Sequence, residues 1–471
     1  MCGIIGVVSD GKEHISYLLI NGLNIIQHRG QDSTGIYTLD KGMFHSHKGI
    51  GLVNDVYNKD NIKHLSGNMG IGHVRYATDG NISLEEAQPL YTNSPYGISL
   101  THNGKLTNVA ELIKILIQNK RHINTNSDSE ILLNIFALEL DKMNHDDIKQ
   151  SIFESIKNVM LICKGSFSVI LLINGIGMVV FRDSYGIRPI IYGIKKNDNT
   201  EKPNYLFASE SAVLDNANYS LVCDLKPGEC IYINTNHDIF SKILIHDRIS
   251  PQICLFEYIY FAREDSIIDG ISVHNARINM GEELGYKIKS NYSEILNDLH
   301  AVMPVPETSR ASALHIANIL GKPYRDGFIK NAYSTRTLIM PNQTIRKKSL
   351  RLKLNTIKGE FFGRNILIVD DSIVRGNTSI QLVQMAKEAG VKKIYFGSLA
   401  PPIKYCNLYG IDLQNESDLI AHNKNENEIA EILGVDKVIF NDLENIINCC
   451  KLLNPKIEKF ETSCFDNIYL E

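Results

Sequence analysis

Apolar positions in the first 240 residues fall in short alternating or β-branched runs, each bounded by Gly, Asn or Asp. This pattern is typical of half-buried strands. Two helices are predicted among the strands, one near Ile15–Gln27 and one that begins at Ser127, where Ser127 and Glu130 have capping-box spacing. The order predicts stacked layers with helices outside. The predicted strands are Ile4–Val8, Gly35–Leu39, Met69–Arg75, Gly97–His102, Ser166–Ile173, Met178–Arg182, Tyr205–Ala208 and Glu229–Ile233.

The pattern changes after about residue 250. Helical periodicity at 275–291, 311–320, 378–389 and 426–433 now alternates with strongly apolar runs at 300–306, 365–371, 392–400 and 437–440. Such alternation predicts a parallel sheet wound with helices. A chain of 471 residues is also too long for one ordinary core. We place the boundary between Ile233 and Pro251 and predict domains at 2–240 and 241–471.

Composition narrows the class of protein. The chain is 44% apolar and 22% charged, and its net charge of −4 gives no reason to expect nucleic acid or an anionic membrane as partner. Nine cysteines without CxxC spacing favour a reducing compartment. No apolar run approaches the length of a membrane span. These observations predict a cytoplasmic protein.

The most informative stretch of the second half is ILIVDDSIVRGNTS, residues 366–379. A buried strand ends in Asp370 and Asp371, a short loop with Gly376 follows, and a helix begins near Thr378. Ligands of open α/β sheets bind where strands end and helices begin, and free N–H groups there favour a phosphate. Adjacent acids suit ribose hydroxyls or hydrated Mg²⁺. Thr378 taken alone is better explained as a plain helix cap.

The whole string resembles the signature of type I phosphoribosyltransferases. The resemblance implies that Asp370 and Asp371 contact the ribose of phosphoribosyl pyrophosphate and that Thr308 joins them around one Mg²⁺. It also implies a loop that closes over the pyrophosphate. That loop departs from the family pattern at Ala332 and Thr335, where an Arg and a Gly are usual. The remaining residues implied to bind phosphoribosyl pyrophosphate are Ser372, Arg375, Gly376, Asn377, Thr378, Ser379, Lys330, Tyr333 and Arg336.

Cys2 begins the second motif. Removal of Met1 before the small Gly3 would leave a thiol next to a free α-amine, whose pKa near ~8 suits a general base. Asn103 and the backbone N–H of Gly104 are candidate donors to an oxyanion.

Two charged residues further along the chain suit an amino-acid substrate. Arg75 is a candidate clamp for a carboxylate, and Asp128 for an ammonium group. A surface ion pair explains Arg75 equally well, and a helix cap explains Asp128. His28, His73 and His102 lack metal-site spacing and are interpreted as structural.

The strings CGIIG, HRGQD, GHVRY and HNG resemble the N-terminal nucleophile (Ntn) glutamine amidotransferases. The resemblance adds Arg29 and Thr78 to the residues that bind glutamine. Its fold is an α+β Ntn hydrolase domain with stacked antiparallel sheets between helices. Joined to an α/β phosphoribosyltransferase domain with a parallel sheet, it is similar to the glutamine phosphoribosylpyrophosphate amidotransferases.

That family resemblance implies the first committed step of purine synthesis: glutamine, phosphoribosyl pyrophosphate and water give 5-phosphoribosylamine, pyrophosphate and glutamate. It implies purine nucleotides as feedback inhibitors and a homo-oligomer, a tetramer or a dimer. Some members hold an iron–sulfur cluster on four cysteines. Cys254 fits one ligand position, but Asn407 occupies another, so we predict no cluster.

Two alternatives stay open. One alternative is a regulator that senses phosphoribosyl pyrophosphate without chemistry, although such a protein has no use for Cys2 together with Arg75, Asn103 and Asp128. It is alternatively an enzyme that lives on free ammonia because the coupling of its sites has decayed. Replacing Cys2 separates these interpretations.

Overall fold

A computed structural model describes residues 2–11, 14–76, 83–144, 146–196, 202–245, 251–331 and 354–470. The first half contains thirteen strands and seven helices in these ranges. The strands are β1 (Gly3–Val8), β2 (Ser33–Asp40), β3 (Met43–Ile50), β4 (Met69–Arg75), β5 (Leu90–Thr92), β6 (Ile98–Leu106), β7 (Gly165–Ile173), β8 (Gly177–Arg182), β9 (Ile191–Lys195), β10 (Asn204–Ala208), β11 (Ser220–Asp224), β12 (Glu229–Asn234) and β13 (Ile239–Ile243). The helices are α1 (Ile15–Ile25), α2 (Val53–Val56), α3 (Lys59–Ile62), α4 (Val109–Gln118), α5 (Asp128–Asp141), α6 (Ile148–Ile162) and α7 (Ser211–Asn216).

These strands form two antiparallel sheets that stack face to face. Their orders are β11-β9-β10-β1-β4-β2-β3 and β13-β12-β8-β7-β6-β5. Buried side chains of β1 and β4, such as Ile4 and Ile71, pack against Ile170 of β7 and Val180 of β8 between the sheets. Helix α1 covers the outer face of the first sheet, and α4 to α6 cover that of the second. The predicted layers with helices outside are confirmed.

The sequence pattern located the central strands but missed peripheral elements. Strands β9, β11 and β13 and helices α4 and α6 were not predicted. The edge strands β11 and β13 expose most of their side chains, so their apolar signal is weak. The capping box at α5 was also wrong. The side chain of Ser127 makes no cap hydrogen bond, and Glu130 instead accepts the N–H groups of Asn124 at 2.8 Å and Thr125 at 2.7 Å.

The second half is an α/β unit. Its strands are β14 (Gln252–Cys254), β15 (Ile267–Ile268), β16 (Ile271–Ser272), β17 (Ala301–Pro304), β18 (Phe328–Lys330), β19 (Leu354–Thr356), β20 (Asn365–Asp370), β21 (Lys393–Ser398), β22 (Lys437–Phe440) and β23 (Lys459–Glu461). Its helices are α8 (Val273–Asn291), α9 (Ser293–Asp298), α10 (Arg310–Leu320), α11 (Lys358–Phe361), α12 (Asn377–Glu388), α13 (Glu426–Leu433), α14 (Leu443–Leu453) and α15 (Ser463–Asp466).

A parallel sheet of order β17-β20-β21-β22 forms its centre, as predicted. Helices α8 to α10 pack on one face, where Leu284 and Ile316 contact Val302 and Leu367. Helices α12 and α13 pack on the other face. The carboxyl ends of β17 and β20 therefore lie side by side, which is where this class of sheet binds ligands.

A further hydrophobic core lies between the two halves of the chain. Ile187 of the first half is buried with Cys254, Tyr258 and Tyr409 of the second. Strand β13 extends the second sheet to Ile243, inside the predicted boundary window but beyond residue 240, so we propose that the domain boundary follows Ile243. None of the helices in the described ranges is long and apolar enough to cross a membrane.

Candidate active sites

Cys2 lies at the start of β1, in the middle of the first sheet. Gly3 pairs with Val74, so Cys2 lies beside the end of β4, where Arg75 is found. The backbone nitrogen of Cys2 donates to Oδ1 of Asn103 at 3.3 Å. Strand order therefore brings three predicted residues to one place, although Cys2 and Asn103 are separated by about a hundred positions in the chain.

Asn103 has the geometry expected of an oxyanion donor. Its side chain is buried, and its Nδ2 has no hydrogen-bond partner within the described segments. An unpaired buried amide N–H costs about 1–3 kcal/mol, which a substrate oxyanion would recover. Gly104 follows with φ of 155°, and a Cβ there would lie 2.0 Å from the carbonyl oxygen of Ser166. Only glycine fits this position next to Asn103.

Arg75 is held at one edge and open at another. Its Nη2 donates to Oε2 of Glu86, while the buried Nη1 has no hydrogen-bond partner among the residues described. The open edge is the part of the guanidinium that a carboxylate would use. Glu86, which the sequence did not single out, orients the clamp.

Asp128 is the first residue of α5, whose N-terminus meets the end of β6. Its Oδ2 accepts the backbone N–H of Leu106 at 2.9 Å. The carboxylate is therefore fixed beside the strand that carries Asn103 and Gly104. Ser129 next to it bonds Nδ1 of His102 at 2.9 Å. The structure thus brings together Cys2, Arg75, Asn103, Gly104 and Asp128, and Thr78 lies outside the described residues.

The histidines near this site are structural, as interpreted from the sequence. His73 and His102 are fully buried on β4 and β6. Burial, reinforced by Arg75, lowers the pKa of His73 to about 3. Burial also lowers the pKa of His102. Both rings are therefore neutral at physiological pH and do not add charge beneath Cys2.

The prediction that Arg29 binds glutamine is corrected. Its guanidinium is buried and bonded to Glu210 through Nε and to Glu257 through Nη2 at 2.7 Å. Burial opposes the charge, but the two carboxylates outweigh it, so the pKa of Arg29 is above its ordinary value. Glu257 also accepts from Arg188 at 3.4 Å. Arg29 therefore ties the halves together.

A large cavity of about 800 Å³ opens where the two halves meet. Its floor is the carboxyl end of the parallel sheet, and its wall includes His28 and Arg29 of the first half. Both predicted acids, the loop after them, Thr308 and Lys330 line it. The predicted lining residues are Thr308, Lys330, Asp370, Asp371, Ser372, Arg375, Gly376, Asn377, Thr378 and Ser379.

Asp370 and Asp371 are buried at the end of β20. Oδ2 of Asp371 accepts the hydroxyl of Thr308, and Oδ1 accepts that of Ser372 at 2.7 Å. Burial, and for Asp370 the neighbouring carboxylate, raises the pKa of both acids. A cation would relieve this cost. Two carboxylates and a hydroxyl fit Mg²⁺, which keeps waters and takes substrate oxygens as its other ligands.

The loop after the acids ends at the helix N-terminus that the sequence predicted. Gly376 has φ of 76° and precedes α12, so the first N–H groups of the helix point into the cavity. Arg375 is half-exposed and lies 3.8 Å from Asp418. Free N–H groups at a helix N-terminus next to a glycine favour the binding of a phosphate. Tyr333 and Arg336, with the altered positions Ala332 and Thr335, lie outside the described residues.

Sequence reasoning missed the charged residues behind the cavity. Arg277 of α8 is buried, donates to the carbonyl oxygens of Tyr258 and Ala262, and faces Asp371. Glu210 is buried and pairs with both His28 and Arg29. No local signal marks such residues, because their partners are distant in the chain.

A cysteine amidase site and a phosphoribosyl site on one chain define the class of two-domain glutamine amidotransferases. Residues 73–216 match the family described as "Glutamine amidotransferase domain". The chain is 49% identical to the amidophosphoribosyltransferase of Escherichia coli, over 100% of this chain and 92% of that protein. It is 45% identical to that of Saccharomyces cerevisiae, over 100% and 92%.

Solved structures agree. The glutamine phosphoribosylpyrophosphate amidotransferase of B. subtilis, complexed with ADP and GMP, is 32% identical, with a TM-score of 0.85 over 99% of this chain and 97% of that one. The chain therefore belongs to the amidophosphoribosyltransferase family. The predicted pairing of an Ntn hydrolase domain with a type I phosphoribosyltransferase domain is confirmed.

Proposed function

We propose how the two sites divide the glutamine-dependent amidotransfer that this family performs. The chain converts phosphoribosyl pyrophosphate, glutamine and water to 5-phosphoribosylamine, pyrophosphate and glutamate, the first committed step of purine nucleotide synthesis. The assignment of glutamine hydrolysis to the Cys2 site rests on one observation. The side chain of Asn103 accepts from the nitrogen of Cys2 and keeps a buried N–H without a partner in the described part of the chain.

In the first half-reaction, glutamine is held by its carboxylate on Arg75 and its ammonium group on Asp128. Removal of Met1 turns the nitrogen of Cys2 into an α-amine, which takes the thiol proton. The thiolate attacks the amide carbon, and the oxyanion is held by Nδ2 of Asn103 and the N–H of Gly104. The α-ammonium group gives its proton to the leaving nitrogen, and collapse of the intermediate releases ammonia and leaves a thioester on Cys2. Water hydrolyses the thioester to glutamate.

In the second half-reaction, ammonia attacks the anomeric carbon of phosphoribosyl pyrophosphate and pyrophosphate leaves. The N–H groups at the start of α12 hold the 5-phosphate. Asp370, Asp371 and Thr308 would hold Mg²⁺, which supplies positive charge to the leaving pyrophosphate. Lys330 adds charge from the rim of the cavity. These residues contribute by holding the substrate in one orientation near the site that releases ammonia, and by neutralising its charge.

The test replaces Cys2 by alanine and measures phosphoribosylamine formation with glutamine and separately with ammonium. We expect the glutamine-dependent rate to disappear and the ammonium-dependent rate to survive. Cys223→Ala is the matched control, because Cys223 is an exposed cysteine remote from both sites, and it should change neither rate. Retention of glutamine-dependent activity by the Cys2 variant would contradict the assignment, as would loss of both rates.

Regulation and assembly extend the proposal. Two structural neighbours support purine nucleotides as feedback ligands: the B. subtilis structure holds ADP and GMP, and a second structure at 32% identity is titled the allosteric regulatory enzyme of purine biosynthesis. We propose that the protein is a cytoplasmic homotetramer. An iron and sulfide assay on pure protein tests the prediction of no cluster.

A further inference from the structure

A turn at residues 407–413 lies between the two sites, and we call it the Asn407 turn. The side-chain oxygen and the backbone N–H of Asn407 both form hydrogen bonds within this turn. Oδ1 accepts the N–H of Tyr409 at 2.9 Å and that of Ile411 at 3.1 Å, and the backbone N–H donates to Leu413 at 3.0 Å. The side chain therefore fixes the turn from inside. Ile411 and Leu413 on its far side line the phosphoribosyl cavity.

The nitrogen of the Asn407 amide ties this turn to the C-terminal segment. Nδ2 donates to both carboxylate oxygens of Glu461 at 3.2 Å and lies 3.2 Å from the hydroxyl of Ser463. Asn407, Glu461 and Ser463 are all buried. Ser463 also donates its N–H to Glu461 at 2.9 Å. A buried carboxylate is costly unless several donors satisfy it. The donors to Glu461 must therefore be held in one particular arrangement.

The near side of the turn meets the glutaminase half. The carbonyl oxygen of Tyr409 accepts from Nε of Arg188 at 2.9 Å and from the hydroxyl of Ser166 at 2.8 Å. The same hydroxyl accepts the N–H of Lys105 at 3.1 Å. Ser166 therefore bridges the turn to the residue that follows Gly104. The side chains of Arg188, Ser166 and Tyr409 are buried.

Gly410 completes the contact. Its backbone lies so close to Gly104 that an added Cβ would be 3.3 Å from the carbonyl carbon and oxygen of Gly104. Gly410 has φ of 98°, which favours glycine there. Gly104 is thus packed between Ser166 on its own sheet and Gly410 from the other half. Its neighbour Asn103 holds the nitrogen of Cys2.

We propose that Asn407 is a positioning residue for the glutaminase reaction. Clamped by Glu461, it holds the Tyr409 carbonyl against Arg188 and Ser166 and so fixes Gly104 from behind in the geometry that receives the oxyanion. This inference rests on the proposed roles of Cys2, Asn103 and Gly104. A small displacement of an oxyanion donor lowers the rate of acyl transfer while ground-state binding on Arg75 and Asp128 persists.

The first experiment is Asn407→Ala in the full-length enzyme. We expect kcat for glutamine hydrolysis to fall about tenfold or more, with KM for glutamine within about twofold. The ammonium-dependent rate should stay within about twofold, as should alkylation of Cys2 by iodoacetamide, a reaction that forms no oxyanion. The matched control is Asn441→Ala, a buried asparagine that donates to Met280 and does not contact the Asn407 turn. It should leave the ratio of the two rates unchanged.

A second, milder variant keeps the proposal testable if Asn407→Ala does not fold. Ser166→Ala removes only the hydroxyl between Tyr409 and Lys105 and should also lower glutamine kcat selectively, by several-fold. Ser99→Ala, which removes a buried hydroxyl that donates to Leu90, is its control. Parallel loss of glutamine- and ammonium-dependent rates, or no selective loss in either variant, overturns the positioning role.

The Cys2→Ala variant measured beside these distinguishes the two levels of inference. If it keeps glutamine-dependent activity, the proposed function itself fails. If it loses that activity while the Asn407 and Ser166 variants behave like their controls, only the positioning role fails.

Discussion

The cysteine site and the phosphoribosyl cavity of this chain are built by different means. The cysteine site lies among strands of an antiparallel sheet. Its central feature is the buried amide nitrogen of Asn103, which has no hydrogen-bond partner among the described residues. The phosphoribosyl cavity lies where parallel strands end, and its central feature is a pair of buried acids, Asp370 and Asp371, beside a helix N-terminus.

This difference matches the chemistry of the two half-reactions. A tetrahedral oxyanion is small and transient, so rigid donors placed beforehand stabilise it best. Phosphoribosyl pyrophosphate is large and highly charged in its ground state, so its site needs countercharge and room. Arg29, Glu210 and Glu257 form a network between the two sites, and their charges are already paired within the protein. Substitutions in this network and in each of the two sites test the difference between them.

The largest effect is expected from Arg29→Met. Removing the guanidinium leaves Glu210 and Glu257 buried without their main counterion, which should cost about 3–5 kcal/mol in the free energy of unfolding. Urea denaturation measures it. Arg364→Met removes a half-exposed pair with Glu360 and should cost less than about 1 kcal/mol. Equal losses in the two variants would show that the network does not hold the halves together.

Asn103→Asp tests the unpaired donor. It keeps the oxygen that accepts from Cys2 but replaces the free N–H by an acceptor, so glutamine kcat should fall about 10²–10³-fold. The ammonium-dependent rate should not change. Asn204→Ala removes a buried amide that accepts from Asp10 elsewhere in the same half, and steady-state assays should find it nearly fully active. A loss below about fivefold in Asn103→Asp would remove Asn103 from the oxyanion site.

Asp371→Asn tests the charged site. One negative charge is lost where Mg²⁺ and ribose are expected, so both glutamine- and ammonium-dependent rates should fall by about 10². Titration with Mg²⁺ should show a higher requirement for the metal. Asp298→Asn, near the opposite end of the parallel sheet, where Asp298 pairs with Lys393, is the control. Selective loss of only the glutamine-dependent rate would place Asp371 in the wrong half-reaction.

Arg75→Lys has the smallest expected effect. Lysine keeps the charge but not the planar fork, so KM for glutamine should rise about tenfold while kcat changes little. Arg121→Lys, in an ion pair with Asp141, should leave KM unchanged. If kcat falls and KM does not, Arg75 acts on the transition state rather than on the substrate carboxylate.

Much of the fold was predictable because its central elements carry strong local patterns. Strand β4 and helix α13 were predicted with their observed bounds, and the alternation after residue 250 gave the parallel sheet. Edge strands such as β11 were missed because largely exposed side chains give little periodic contrast. The capping box at α5 failed because Glu130 has backbone partners at Asn124 and Thr125 that spacing cannot reveal.

The sequence by itself determined the chemistry at both sites. The cysteine beside a glycine at position 2, the HNG string and the DDSIVRGNTS turn are local, because nucleophiles, oxyanion donors and phosphate loops need particular residues at fixed short spacings. The tertiary structure alone decided what surrounds them. In the fold, Arg29 pairs with Glu210 and does not face the glutamine site, and the Tyr409 carbonyl lies behind Gly104. Both arrangements depend on partners some two hundred positions away in the chain, which only packing brings together.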